Sequence, residues 1–277
     1  MHNKSVNLLG VRIDSLTLEE FRSKASHALM VSGHRFIFTP NSEIVYKATK
    51  DLNFKDVLNK SYLNIPDGIG ILWAARFLTF KLPKNIALKY LVAVCEFIGS
   101  LMLIPTLPSF FKKPIPERVS GSDFFWDVVK ICEQNNYRIF LLGGAPTIAE
   151  KTSLVIQNKF PNIKIVGIHS GGPDDRQEII AAINKSRADA LFVAFGAPKQ
   201  ELFIAQNLAH TTCKVGMGVG GTFDFVSGNR KRAPFIMRKI GLEWFYRLVT
   251  EPKRFGRQLS LPRFLLAILK DKLRNAN

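Results

Sequence analysis

From about residue 122 to residue 219 the chain alternates helical-period stretches with short apolar runs, and this rhythm most limits its fold. Helices are expected over 122–135, 146–159, 174–186 and 198–209, with strands over 138–142, 163–168, 190–195 and 214–219 between them. Strands joined by helices of that length require right-handed crossovers and a mostly parallel sheet. The expected fold is therefore α/β with a Rossmann-like sheet, whose reactive groups belong on the loops at the carboxyl ends of the strands.

The N-terminal third follows a looser version of the same logic. VNLLGVRID (6–14) reads as an apolar strand. SLTLEEFRSKASHAL (15–29) reads as a helix capped by Ser15 or Thr17 ahead of Glu19 and Glu20. RFIF runs into a Thr39-Pro40-Asn41 loop and a helix from Ser42. A strand over 62–65 meets the loop Pro66-Asp67-Gly68 and an apolar helix.

Charge and cysteines restrict the partners. The net charge is +17, and residues 228–277 hold 13 Lys/Arg against three acids, so +10 of it lies in the last 50 residues. Such a cluster suits an anionic partner: nucleic acid, anionic headgroups or pyrophosphate. Aromatics among the basic residues (Trp244, Phe245, Tyr246, Phe255) could stack on bases, but no nucleic-acid-binding module is recognisable, and no nucleic acid is expected as partner. Cys95, Cys132 and Cys213 are far apart, so neither a metal site nor a disulfide set is framed. The first residues lack an apolar signal core, which argues against secretion.

Two segments interrupt the rhythm. Residues 84–113 form an apolar insert. From Tyr90 the run uninterrupted by Pro105 is 15 residues, or about 22 Å as helix, short of a bilayer core of roughly 30 Å. A buried helix and a membrane-dipping hairpin both fit it. In the tail, RFLLAILKDKLR (263–274) mixes an apolar face (Phe264, Leu265, Leu266, Ile268, Leu269) with cations, as interfacial helices do. The expected division is a core over 1–226 and a basic helical, membrane-associating appendage over 227–277.

Asp67 is the best single candidate for a general base, since its loop directly follows a strand. It could equally cap the helix behind it. Thr39 and Asn41 occupy a similar loop and could bond a sugar, or act as caps. Gly143 and Gly144 follow one strand, and Gly196 to Gln200 (GAPKQ) follow another. Missing side chains there would admit a ligand to backbone N–H groups. Gly220 and Gly221 could do the same or serve close packing. Neither the Gly143 loop nor the Gly196 loop is G-x-G-x-x-G, and no Walker A, D-x-D, zinc spacing or G-x-S-x-G occurs, so nicotinamide, ATP, metal-bridged and hydrolase readings lack support.

Seven segments together resemble the WecG/TagA/CpsF family of bacterial glycosyltransferases. They are TPN (39–41), PDGIGILWAAR (66–76), PERVSG (116–121), GAPKQE (196–201), GVGGTFDF (218–225), KRAP (231–234) and GLEWFYRLVTEPKRFGR (241–257). The resemblance implies inverting transfer of a sugar from a UDP-sugar to a polyprenyl-diphosphate-linked sugar, with no cofactor and no metal. The sugar would be N-acetylmannosamine, its uronic acid or glucuronic acid. The product would enter wall teichoic acid, enterobacterial common antigen or exopolysaccharide.

By motif, Asp67 is the implied base, and Thr39, Gln200 and Arg118 complete the catalytic set. Asn41, Gly143, Gly144, Gly196, Lys199, Glu201, Gly220, Gly221 and Asp224 are implied substrate contacts, and Arg247, Arg254 and Arg257 the diphosphate grip. The same likeness implies a cytoplasmic enzyme, peripheral on the inner face of the cell membrane and drawn to its anionic surface. Self-association between copies is a further implication. Where the family usually has a short loop, this chain carries about 30 extra, largely apolar residues before PERV. A non-catalytic sugar-nucleotide binder is the alternative, against which Asp67, Thr39 and Arg118 all stand.

Overall fold

The computed structural model describes residues 4–251 and 255–275. Six parallel strands form the central sheet in the order β4 (Leu63–Asn64), β3 (Arg35–Phe38), β8 (Val215–Gly218), β7 (Ala190–Ala194), β5 (Arg138–Gly143), β6 (Lys164–His169). An antiparallel hairpin opens the chain, β1 (Ser5–Leu8) and β2 (Val11–Asp14), in place of one apolar strand. Leu9 and Gly10, both at positive φ, make its turn.

Helix α1 (Leu18–Met30) starts on a full capping box. Thr17 accepts from the Glu20 amide, and the Glu20 carboxylate accepts from the Thr17 N–H at 2.7 Å. Then come β3 (Arg35–Phe38), α2 (Ser42–Ala48), α3 (Leu52–Asn59), the two-residue β4 (Leu63–Asn64) and α4 (Ile69–Leu78).

The apolar insert forms α5 (Ile86–Thr106), which runs 21 residues, not 15. At 1.5 Å per residue that is about 32 Å. It begins before Tyr90 because Lys89 is buried and does not interrupt it, and Pro105 falls in its last turn. By length and composition it could cross a bilayer, yet it packs lengthwise on the protein. The Trp73 indole donates to Ser100 Oγ at 3.0 Å, and Phe97 sits edge-on to both Trp73 and Phe77.

The alternating region follows as α6 (Gly121–Gln134), β5 (Arg138–Gly143), α7 (Ile148–Lys159), β6 (Lys164–His169), α8 (Arg176–Ser186), β7 (Ala190–Ala194), α9 (Lys199–Asn207) and β8 (Val215–Gly218). Helices α1, α6 and α7 cover one sheet face, while α3, α4, α8 and α9 cover the other. The two apolar layers explain the continuous Val/Ile/Leu/Phe runs of the central strands. From β5 the chain passes to β6 on one side and then returns to β7 on the other, so β5 and β7 flank a switch point.

Short helices complete the chain: α10 (Thr222–Val226), α11 (Phe235–Lys239), α12 (Glu243–Thr250), α13 (Phe255–Gln258) and the longer α14 (Ser260–Asn275). The apolar stripe of α14 does not face outward as expected for a lipid-binding tail. Phe264 and Ile268 are fully buried, and Leu265 and Leu269 pack on the same core; of the five residues only Leu266 is exposed. Lys272 locks this helix down. Its ammonium donates to the carbonyls of Phe77 at 2.7 Å and Phe80 at 3.0 Å, and pairs with Glu96 of α5 at 3.0 Å. Those carbonyls end α4, where a cation is favoured.

Candidate active site

All the singled-out loops lie along one edge of the sheet, because each follows the carboxyl end of a parallel strand. In spatial order they are the Asp67 loop after β4, Thr39–Asn41 after β3, Gly218–Gly221 after β8, Phe195–Pro198 after β7 and Gly143–Gly144 after β5. At about 4.8 Å per strand the row from Asp67 to Gly143 spans roughly 19 Å, which suits an elongated ligand.

The crevice at the switch point has a volume of about 360 Å³ and is lined by Gly144, Ala194, Phe195, Lys199, Asp224 and Arg230. Ala145, Gly171, Gly172, Pro173 and Asn229 complete its wall. Gly143 and Gly144 adopt φ of 98° and 87°, and a Cβ on Gly143 would lie 2.8 Å from the Phe195 ring. Only glycine fits both the dihedral and the space. Asp224 accepts from the Asn229 amide at 2.8 Å, and Arg230 pairs with Glu251 at 2.6 Å.

Gln200 is buried and braces the middle of the row. Its carbonyl oxygen accepts from Gly196 N–H at 3.1 Å and Gly220 N–H at 2.9 Å, while its amide donates to Glu201 at 2.9 Å. One side chain thus fixes the loops after β7 and β8. Gly218 lets it in, since a Cβ there would stand 2.8 Å from Gln200 Nε2. Glu201 is 1% exposed, and burial pushes its carboxyl up to about 7 against the Gln200 bond.

A folded pKa above the ordinary value means stability is lost as pH rises through about 7. Glu201→Gln keeps an acceptor for Gln200. It is expected to raise the melting temperature at pH 8.5 and to change it little at pH 4.5, as read by thermal denaturation at the two pH values.

At the far end, Asp67 is not a helix cap. The cap position of α4 is Gly68 at φ 91°, with no side-chain bond. The Asp67 amide donates to Pro40 O at 3.2 Å, and Val119 N donates to Pro66 O at 3.2 Å, which binds the PERV segment to the Asp67 loop. Asp67 is half-buried, and its carboxyl accepts from Gly121 N–H at the start of α6. Burial, then the Glu243 carboxylate, raise it to about 6, and Arg247, Arg118 and the Gly121 bond oppose them.

Thr39 packs directly on Gly121, where a Cβ would fall 2.7 Å from Thr39 Oγ1. Asn41 spends its oxygen capping α2, accepting from Ile44 N–H at 3.1 Å. Arg118 faces Asp67 and also Asp123. Arg232 grips Asp123 with both guanidinium nitrogens and gives Ser120 Oγ a bond at 2.9 Å, holding the 227–234 segment against α6.

Arg247 pairs with Glu243 one turn away and lies 4.9 Å from the Phe225 ring centre. Arg257 reaches the start of α2, bonded to Glu43 at 2.9 Å, and Lys47 on the same carboxylate donates to Ala197 O in the loop after β7 at 3.1 Å. Burial alone would raise the Glu43 carboxyl, yet bonds from Lys47 and Arg257 hold it below its usual value. Arg254 lies outside the described residues. Among the described residues no three His, Cys, Asp or Glu side chains gather where they could hold a metal ion.

Sequence reasoning passed over Gly171–Pro173, although a Gly-Gly pair after a strand is the signal that marked Gly143. It also passed over Glu243, whose place beside Asp67 depends on a contact across 176 positions that periodicity does not carry.

The doubly covered parallel sheet thus carries a glycine-walled crevice at its switch point and a carboxylate among charged side chains farther along the same edge. The sequence model of the glycosyl transferase WecG/TagA/CpsF family matches residues 6–100 and 102–277, and the chain belongs to that family. It is similar to an "N-acetylglucosaminyldiphosphoundecaprenol N-acetyl-beta-D-mannosaminyltransferase" of Bacillus subtilis strain 168, at 35% identity over 85% of this chain and 79% of the relative. Relatives of the same name occur in Bacillus spizizenii, at 33% identity over 87% and 81%, and in Staphylococcus aureus strain MRSA252, at 29% identity over 96% and 93%. The chain is thus a glycosyltransferase, of the hexosyl-transferring kind.

Proposed function

We infer that this enzyme moves N-acetylmannosamine from a UDP-sugar to N-acetylglucosamine linked through a diphosphate to a polyprenol, with inversion at the anomeric carbon. The observation that carries this reading is Asp67, raised to about 6, bonded by Gly121 N–H and set among Arg118, Arg247 and Glu243, in a chain whose relatives bear the name quoted above. The uridine diphosphate occupies the crevice at Gly143–Gly144, with Gly196, Lys199 and Asp224 around it. Gly220 and Gly221, with Gln200 and Glu201 bracing them, hold the middle of the ligand. Thr39 and Asn41 orient the sugars.

Asp67 takes the proton from the acceptor hydroxyl as that oxygen bonds to the anomeric carbon. The bond to UDP breaks on the opposite face, and the electron pair leaves with the diphosphate. Arginines fixed near the developing charge stabilise it where other transferases place a metal. Arg247, Arg254 and Arg257 belong to the 227–277 appendage, which closes the site over the 1–226 core. No cofactor is involved.

The acceptor's lipid tail puts the enzyme on the inner face of the cell membrane as a peripheral protein. The appendage meets the anionic surface through α11 and α12, where Phe235 (68%), Ile236 (71%) and Val249 (66%) stand exposed, and not through α14.

A panel of UDP-sugars offered with a short-chain diphosphate-linked acceptor, analysed by mass spectrometry, tests the substrates. The N-acetylmannosamine donor is expected to give the disaccharide, and a product from another hexose alone would overturn the assignment. Treating the purified enzyme with a chelator is expected to leave turnover largely intact. A strict need for added Mg²⁺ or Mn²⁺ would refute the arginine-for-metal mechanism.

A further inference from the structure

Helix α5 is amphipathic in the reverse sense. A surface helix normally turns charges to water and apolar residues to the core. Of the 21 residues of α5 only Lys89 and Glu96 are charged, and both point inward. Lys89 is 7% exposed, and Glu96 pairs with the buried Lys272. The outward positions recur every three to four residues and are apolar: Leu91, Val94, Ile98 and Met102, with exposures of 61%, 43%, 48% and 68%. Ile86 and Tyr90 extend the stripe by another turn. A continuous apolar stripe of this length on a folded surface marks an interaction site.

The structure assigns this outer face of α5 to the surface of an anionic phospholipid bilayer, an assignment that rests on the reading of a lipid-linked acceptor. The helix lies flat in the interface and does not span it. Its inner side is committed along its length, by Ala93, Phe97, Ser100 and the Glu96–Lys272 pair, to α4 and α14. Charge complementarity favours a bilayer over a second copy. Exposed lysines bracket the stripe at both ends, Lys81 and Lys84 before it and Lys112 and Lys113 after it, as the flanks of an interfacial helix do.

The far end of α5 also adjoins the appendage. A Cβ on Gly241, in the turn between α11 and α12, would lie 3.3 Å from Ile104 Cγ2. Docking through α5 therefore sets the appendage, with Arg247 and Glu243, against the membrane from which the acceptor arrives. The 84–113 insert supplies an anchor, and so assumes the role expected of the α14 face.

The test is flotation of the full chain with vesicles of phosphatidylglycerol and phosphatidylcholine, and with phosphatidylcholine alone, in the absence of donor and acceptor. The wild-type chain is expected to float with the anionic vesicles. Leu91→Gln with Ile98→Gln and Met102→Gln is expected to weaken partitioning roughly a hundredfold or more. An equal change at exposed apolar sites elsewhere, Met30→Gln with Leu52→Gln and Leu154→Gln, should leave flotation unaltered. Turnover of the α5 variant on a short-chain soluble acceptor should match wild type, which shows that its fold and site persist. Unchanged flotation of the α5 variant would overturn the assignment. So would a wild-type dimer in sedimentation that the α5 substitutions alone dissociate while flotation stays intact. Failure of every donor and acceptor in the turnover assay would instead sink the proposed reaction, and would leave the flotation result standing.

Discussion

Asp67→Asn is expected to lower kcat by about 10²- to 10⁴-fold, the range for losing a positioned proton acceptor, while UDP-sugar binding persists. The amide is nearly the same size as the carboxylate and can still accept from Gly121 N–H, so geometry should survive. Two pH readouts make the prediction specific. With the base raised to about 6, log kcat of the wild type should fall with unit slope as pH drops below about 6. The residual activity of the variant should lose that limb. The stability sign runs opposite to activity. A carboxyl raised in the folded state loses stability as pH climbs through about 6, so Asp67→Asn should melt above wild type at pH 8 and near it at pH 4. Near-normal turnover in the variant would show that another group is the base. Such a pair of outcomes fits a site where strain against folding is retained for chemistry.

The second large effect is expected at Arg247. Arg247→Ala should cost about 10²- to 10³-fold in kcat, comparable to losing one fixed donor that meets charge developing in the transition state. The loss has a second component. Arg247 is the ion-pair partner of Glu243 and also lowers the Asp67 pKa, whereas Glu243 raises it. Removing the guanidinium leaves two carboxylates facing each other without it, so the acid limb should move to higher pH. Arg247→Ala with Glu243→Gln should return that limb toward the wild-type position but restore little kcat, since the lost charge on the diphosphate is not replaced. If the single variant keeps kcat within about threefold of wild type, the arginine is a packing residue against Phe225, and the diphosphate grip lies with Arg118 or with the other appendage arginines.

Much of this site was legible before any fold was known. The TPN, PDG, GAPKQE and GVGG segments each close a short apolar run, and a parallel sheet brings all such closures to one edge. A cap at Ser15 or Thr17 ahead of Glu19 and Glu20 was legible too, and the fold settles it on Thr17 and Glu20. The roles inside the site were less legible. Asn41 and Asp67 have similar local sequence, a polar residue after a strand and before a helix. One spends its oxygen on an α2 amide, while the other leaves capping to Gly68 and keeps its carboxylate for Gly121 N–H and the arginines around it. Gln200, which the resemblance places in the catalytic set, holds two loop amides across neighbouring strands. That bond depends on β7 lying beside β8, which is topology and not local pattern.

The amphipathic segments mark the same boundary. By itself the sequence marked 84–113 as an apolar insert, open to a buried helix or a membrane-dipping hairpin, and 263–274 as an amphipathic segment, because hydropathy and a 3.6-residue repeat are local properties. Only the tertiary structure decided what covers each stripe. Residues 264 and 268 close the protein core, while 91, 94, 98 and 102 remain outside. Removal from water favours an apolar face whether protein or lipid lies against it. The sequence therefore records the need for cover, and the packing of α14 between α2, α4 and α5 decides which helix the protein itself satisfies.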